Sequence, residues 1–387
     1  MGVTTVPDSV TDLELAVAPV SDLGTRKPEQ GIGLCLSGGG YRAMIFHVGA
    51  LIRLNETGYL SELKRVSGVS GGLITAALLG HKWKQLDFHK GQVLNLTREV
   101  VDPIRAFAHE TVDLRSVITG ALLPGTISDK MAAAYRKYLF GDATLQDLPD
   151  DPPRFEINAT NVQSGSLVCF SKPYMRDCKV GEIHNPTIAL AEAVTASSAF
   201  PPFLSPAFID LNPEAFSPPV GESLAADSYR KRMVLTDGRI SDQLGLETVW
   251  KRLDTVLVSD GGGKFSPNAD PGEDWLRHTE RVLDVIDDQV HRLRKRQLIS
   301  SFEAGLRKGC YWGITTNIAD YKLATALPCP VDRTSSLAAE PTRLSDMSDR
   351  TQERLINWGY AVCDAALRRH LDPSLKIPAG FPYSRGV

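Results

Sequence analysis

The sequence predicts an α/β fold, a central and mostly parallel sheet covered by helices, and three observations carry that expectation. A buried strand, a glycine turn and a helix follow one another over residues 32–54, and the same triplet returns over residues 64–79. Two further apolar strands, at 233–236 and 255–259, each run into Asp-Gly. Finally, 387 residues with 42% hydrophobic and 23% charged side chains can bury a core without disulfide or metal staples.

Residues 1–29 carry scattered Asp, Thr, Pro and Gly without periodicity and read as a loose arm ahead of a single domain over 30–387. The first strand, 32–36, meets Ser37 and three glycines. Apolar residues then recur at Met44, Ile45, Val48, Leu51, Ile52 and Leu54, the period of a helix packed on a sheet, which residues 55–58 end. Residues 64–68 form the second strand and 73–79 lie in the second helix. The stretch 85–150 reads as mostly helical. Residues 155–158 and 167–170 read as strands around the polar turn 161–165, and 188–198 as a small-residue helix ending at Pro201-Pro202. A polar loop spans 211–230. From about 270 the chain reads as a helical extension: an amphipathic helix over 275–308, a strand at 312–317 and a terminal helix over 348–370.

Charge and cysteine content remove several function classes. A formal net charge of −3 gives no electrostatic footprint for nucleic acid. The six cysteines include no CxxC pair and no Cys/His set with zinc spacing, so no metal is expected. No basic, apolar leader opens the chain, and no apolar run nears the roughly 20 residues needed to span a bilayer. Val6 stands where an N-myristoylation signal needs Ser or Thr. The expectation is a cytoplasmic protein that meets membranes only from outside, with no cofactor.

Gly68-Val69-Ser70-Gly71-Gly72 fits G-x-S-x-G between a strand and a helix. Small neighbours permit the sharp turn that lifts a serine hydroxyl above the sheet edge, with the helix N-terminus aimed at a developing anion. Gly38-Gly39-Gly40 also leaves a strand and opens a helix, so its amides can converge on an anion. A dinucleotide site would need an acidic residue at the end of the second strand, where Ser67 and Gly68 stand. A P-loop would need G-K-[ST], which is absent. An oxyanion hole serving Ser70 accounts for both glycine turns with one chemistry and is preferred. Arg42, in the first turn of that helix, has the planar fork to bind a phosphate head group or to pair with a structural carboxylate; both readings stand.

Ser70 also needs a base. His278, His291 and His370 lie in helical stretches without a strand-end turn and read as solvated. The strand-end aspartates, Asp237 and Asp260, are better placed, because burial lifts a carboxyl into the range of a useful base. Position alone does not separate them.

The run from Ser37 to Met44 followed by 68–72 resembles the paired signature of the patatin-like phospholipases, and the first of these runs is also similar to the related cytosolic phospholipase A2 catalytic domain. Residues 191–206 resemble the small-residue helix and Pro-rich turn ahead of that family's catalytic aspartate, and 235–245 resembles its Asp-Gly block. The likeness covers about 31–265. It implies a three-layer sandwich, a Ser70–Asp237 dyad without histidine, an oxyanion hole from Gly38, Gly39 and Gly40, no metal, and a phospholipid or other fatty-acyl ester substrate. The implied activity is that of a phospholipase A, lysophospholipase or lipid esterase; the alternative is a silent or signal-regulated module that binds lipid or a partner. Two residues depart from the pattern: Ala43 replaces a usual glycine, and Arg239 stands where Gly or Ala usually follows Asp-Gly. A cation there lowers the pKa of Asp237 unless it turns away. Phe88, Leu94, Ile104, Phe107 and Leu114 are candidates for the walls of an acyl channel.

Overall fold

The computed structural model describes residues 28–112, 127–150, 152–202, 204–217 and 224–387. β1 (Glu29–Leu36) leads through the glycine loop into α1 (Gly40–Glu56), and β2 (Leu63–Gly68) leads through Val69 into α2 (Ser70–Lys82). Then come β3 (Arg154–Asn161), β4 (Ser166–Phe170), β5 (Tyr174–Asp177) and β6 (Gly181–His184). After α3 (Leu190–Ser198) follow β7 (Ala207–Asp210), β8 (Phe216–Ser217), β9 (Arg232–Asp237) and β10 (Leu253–Asp260). A long helix α4 (Trp275–Glu303), β11 (Lys308–Gly313) and α5 (Asp349–His370) complete the layers. Among the described residues no helix is long and apolar enough to cross a membrane.

The sheet runs β8-β6-β5-β4-β3-β2-β1-β10-β11. Its five strands from β3 to β11 are parallel, and the remainder is an antiparallel extension. Helices α1, α2, α3 and α5 pack against one another and against one face; α4 and the short helix Glu247–Trp250 cover part of the other. The side-chain alternation of β1 and β10 explains both layers: Leu34, Leu36 and Leu257 enter the large core, whereas Cys35, Val256 and Val258 enter the small one beneath α4.

One irregularity of this sheet positions the site. The same edge of β3 pairs first with β2, parallel, up to Gly68 opposite Ile157. It then pairs with β9, antiparallel, where Asp237 lies opposite Ala159. β2 and β9 therefore end facing each other along one strand, their partners two residues apart, a distance of about 7 Å. The residues just past Gly68 thus emerge beside Asp237.

Several expectations shift. Residues 97–101 form a π-helical turn and 102–107 and 127–135 α-helix, but the 85–150 region also holds a small hairpin at 88–93. The loop expected at 211–230 contains a two-residue edge strand and a helical turn, Asp227–Arg230. The strand expected at 312–317 lies earlier, at Lys308–Gly313. There Gly309 lets the backbone approach β10 so closely that a Cβ would fall 1.9 Å from the Val256 carbonyl oxygen. The terminal helix begins as expected, with the Ser348 side chain capping the Thr351 amide. Most of the N-terminal arm, and Leu114, lie outside the described residues.

Candidate active site

Ser70 opens α2 directly after β2, with φ at +51°, the left-handed region that a residue bearing a Cβ rarely enters. Its neighbours make the turn possible. A Cβ on Gly71 would fall 2.2 Å from the Gly40 carbonyl oxygen, and one on Gly72 2.3 Å from that of Ser37. The two glycine turns are thus packed backbone to backbone. The Ser70 amide donates to the Ser197 hydroxyl of α3 at 3.1 Å, and the residue is only 7% exposed.

The glycine loop lies against that serine: a Cβ on Gly38 would stand 2.9 Å from the Ser70 Cβ. Gly39 and Gly40 hold φ of +145° and +61°, which turns successive amides away from β1. Among the described residues the amides of Gly38, Gly39 and Gly40 find no acceptor, whereas the next one, Tyr41, donates to the Arg343 carbonyl at 2.9 Å. A helix N-terminus with unsatisfied donors beside a strained serine can stabilise negative charge on an atom bonded to that serine.

Asp237 is fully buried. Its Oδ1 accepts the Arg239 amide at 2.9 Å, while its Oδ2 has no hydrogen-bond partner of regular geometry among the described residues. Burial pushes its pKa from the ordinary 3.8 up to about 6. The Arg239 guanidinium, the Arg239 amide and the Ser70 hydroxyl oppose that rise, so the serine acts on this carboxyl although the contact is not a regular hydrogen bond. The Arg239 side chain does turn away: its guanidinium pairs with Asp287 of α4 and lies over the Phe200 ring, while its stem packs on Gly38.

Asp260 has the opposite environment. Its Oδ1 accepts the Ser37 hydroxyl at 2.8 Å and the Gly262 amide at 2.9 Å; its Oδ2 accepts Tyr311 at 2.6 Å and faces His291 Nε2 at 2.8 Å. Although burial opposes ionisation, His291 leads a set of partners that holds its pKa well below the usual carboxylate range. A carboxylate with both oxygens occupied is a poor proton acceptor. His291 is accordingly not a solvated helix histidine but an ion-pair partner, with its own pKa raised chiefly by Asp260. His278 is exposed, and His370 packs edge-on against Tyr321.

Arg42 is buried, with its guanidinium donating to the main-chain carbonyls of Gly261, at 3.2 Å, and Glu340. Burial, first, and the Arg239 charge lower its pKa to about 10. Among the described residues it thus pairs with main-chain carbonyls and not with a structural carboxylate. His47, which the sequence did not single out, joins Ser259 Oγ at 2.7 Å to the Ser37 carbonyl at 2.9 Å and steadies the loop from below. Burial drives its pKa down to about 4, so it is neutral at pH 7. Its place in α1, one turn after Ala43, was the available signal.

Ser70, Gly40, Gly71 and Arg239 line a cavity of about 50 Å³, roofed by Phe200, Leu204 and the segment Thr342–Arg343–Leu344. None of Phe88, Leu94, Ile104 or Phe107 reaches it: the first two are exposed and the others lie in the core. Among the described residues no group of three His, Cys, Asp or Glu side chains is placed to hold a metal ion.

A family model described as patatin-like phospholipase matches residues 34–250. Among solved structures, the human GIVD cytosolic phospholipase A2 aligns over 92% of this chain and 64% of its own, at 15% identity and a TM-score of 0.45. The same human enzyme in complex with methyl gamma-linolenyl fluorophosphonate aligns over 92% and 60%, at 17% and 0.46. VipD from Legionella pneumophila aligns over 88% of this chain and 67% of its own, at 15% identity and 0.37. This chain therefore spans about two thirds or less of the length of these solved proteins. No curated protein matches the sequence.

Proposed function

The chain belongs to the patatin-like phospholipase family, a family of lipid acyl hydrolases, and we propose that it cleaves fatty-acyl esters with Ser70 as nucleophile and Asp237 as base. What carries this reading is the juxtaposition of a strained serine, an amide-lined glycine loop and a buried carboxyl whose Oδ2 has no regular hydrogen-bond partner among the described residues. Asp237 takes the Ser70 proton as Oγ attacks the ester carbonyl. The oxyanion of the tetrahedral intermediate is met by amides of Gly38, Gly39 and Gly40. Its collapse expels the alcohol, which takes the proton from Asp237 and leaves an acyl group on Ser70. Water, deprotonated by Asp237, then releases the acid and restores the serine. Arg42 acts here by tying the loop to Gly261 and Glu340, because head-group contact would require its fork to leave both carbonyls.

Membrane glycerophospholipids and lysophospholipids are the proposed substrates, met by peripheral contact. A cavity of about 50 Å³ has room for a water or two and not for an acyl chain. This favours a form of the enzyme that is closed until the Thr342–Arg343–Leu344 segment moves, as a signal-regulated enzyme would be.

The test is hydrolysis of short- and long-chain p-nitrophenyl esters, then of mixed phospholipid vesicles, by wild type and Ser70→Ala. Turnover that falls at least about 10⁴-fold in the variant is expected. Equal turnover in both would remove Ser70 from the mechanism.

A further inference from the structure

A second, far larger cavity, of about 840 Å³, lies on the reverse face of the sheet. The α4 layer protects β1 and β10 there, but the antiparallel extension is left partly bare. Its floor is built from cross-strand neighbours on β3, β4 and β5: Thr160 opposite Leu167, and Cys169 opposite Arg176. Thr248 and Leu283, from the short helix and α4, close the far side.

The lining is chemically two-sided. The floor and the α4 side are mainly apolar, while Arg176, Lys179, Lys251 and Arg252 bring four cations against two carboxylates, Glu247 in the lining and Glu182, which pairs with Arg176. Both oxygens of Glu247 are already engaged, one by Lys251 and the other by Arg294 at 3.1 Å. Charges of both signs reach the floor: burial raises the pKa of the Cys169 thiol, Glu156 and Asp242 add to that rise, and Arg252 and Arg176 oppose it. Apolar walls with a few convergent charged groups and a volume between about 300 and 1,000 Å³ describe a small-molecule site. The excess of positive charge selects an anion.

The cavity is separate from Ser70, and the partition is thin. The end of α3 and the chain after it present Ser198, Phe200 and Leu204 to the Ser70 cavity and Pro201 and Ser205 to the large one. The turn after Asp237 presents Arg239 to one side and Ile240 and Ser241 to the other. Thr160, on the floor, donates to the Asp237 carbonyl oxygen at 2.9 Å.

We infer that this cavity is a binding site for a single-chain anionic amphiphile, a long-chain carboxylate, with its chain on the β3–β4–β5 floor and its head group among Arg176, Lys179, Lys251 and Arg252. The inference does not depend on the reaction proposed at Ser70, and its test uses the full chain carrying Ser70→Ala. Titration with parinaric acid, a fluorescent polyene carboxylate, is expected to show saturable binding at one site per chain, displaced by oleate. Adding Leu167→Trp, which fills the floor, should weaken binding at least about tenfold, as should Leu283→Arg on α4, and unchanged circular dichroism identifies the variants that are folded. Lys251→Gln with Arg252→Gln, or methyl oleate in place of oleate, should each weaken it severalfold. Binding that is absent, or that survives both floor and α4 variants in folded protein, overturns the assignment. So does methyl oleate displacing the probe as well as oleate does, because the cations would then have no part.

Discussion

Asp237 and Asp260 begin from the same local sequence and end as opposites. Each closes a buried strand, each precedes a glycine, and each is withdrawn from solvent. Asp260 has four partners on its two oxygens and is held ionised far below the usual range. Asp237 keeps Oδ2 without a regular partner and rises to about 6. Burial raises both, so the difference lies in the partners. A carboxylate surrounded by donors anchors structure; one left short of them keeps an affinity for a proton.

The largest expected effect separates them by chemistry. Asp237→Asn should lower ester turnover by about 10³-fold or more, because among the described residues no other base acts on Ser70. Asp260→Asn should act first on stability. It leaves His291 without its charge partner and takes an acceptor from Ser37, Tyr311 or Gly262, a loss of about 3–5 kcal/mol read as a shift in the urea midpoint. If Asp260→Asn kept full stability and lost turnover, the two roles would have to be exchanged.

The second comparison is the sign of the stability change with pH. A folded pKa of about 6 against 3.8 unfolded means that ionising Asp237 costs the folded state. Its favourable share is complete below about pH 4 and is lost as pH rises through 6. Asp237→Asn should therefore stabilise the protein at pH 8, by roughly 1–3 kcal/mol, and by little at pH 4. Asp260, with its pKa depressed, contributes above about pH 4 and loses that contribution as pH falls. Paired urea titrations of the two variants at pH 3 and 8 read both signs.

How the two aspartates differ was only partly legible in the sequence. Strand–turn–helix order around Ser70 and Gly38–Gly40 was readable because glycine spacing and helical periodicity are local signals, and β1, α1, β2 and α2 stand where those signals put them. Resemblance, and not position, chose Asp237. The physical reason for that choice lies in β3, whose edge changes partner from β2 to β9 between Ile157 and Ala159, a long-range pairing that no local pattern announces. His291 was misread for the same reason: its charged neighbours suggest a solvated helix, yet it lies opposite a strand end 31 residues earlier in the chain. The roof at Thr342–Leu344 and the cavity behind β4 likewise arise from tertiary packing.

The smallest predicted effect concerns Arg239, whose charge is the chief force opposing the rise at Asp237. The Asp287 carboxylate holds the guanidinium aside, and the arginine stem fills the space above Gly38. Arg239→Met keeps much of that stem and removes the charge. The pKa of Asp237 should then rise further, by up to about one unit, and the acid limb of kcat/KM, which follows ionised Asp237 through about pH 6, should move up with it. Above pH 8, where Asp237 is ionised in both proteins, turnover should change little. A limb that stays in place would mean that Asp287 already screens the arginine from Asp237. Loss of turnover at every pH would instead mean that Arg239 acts through the loop it packs upon, by holding Gly38 against Ser70.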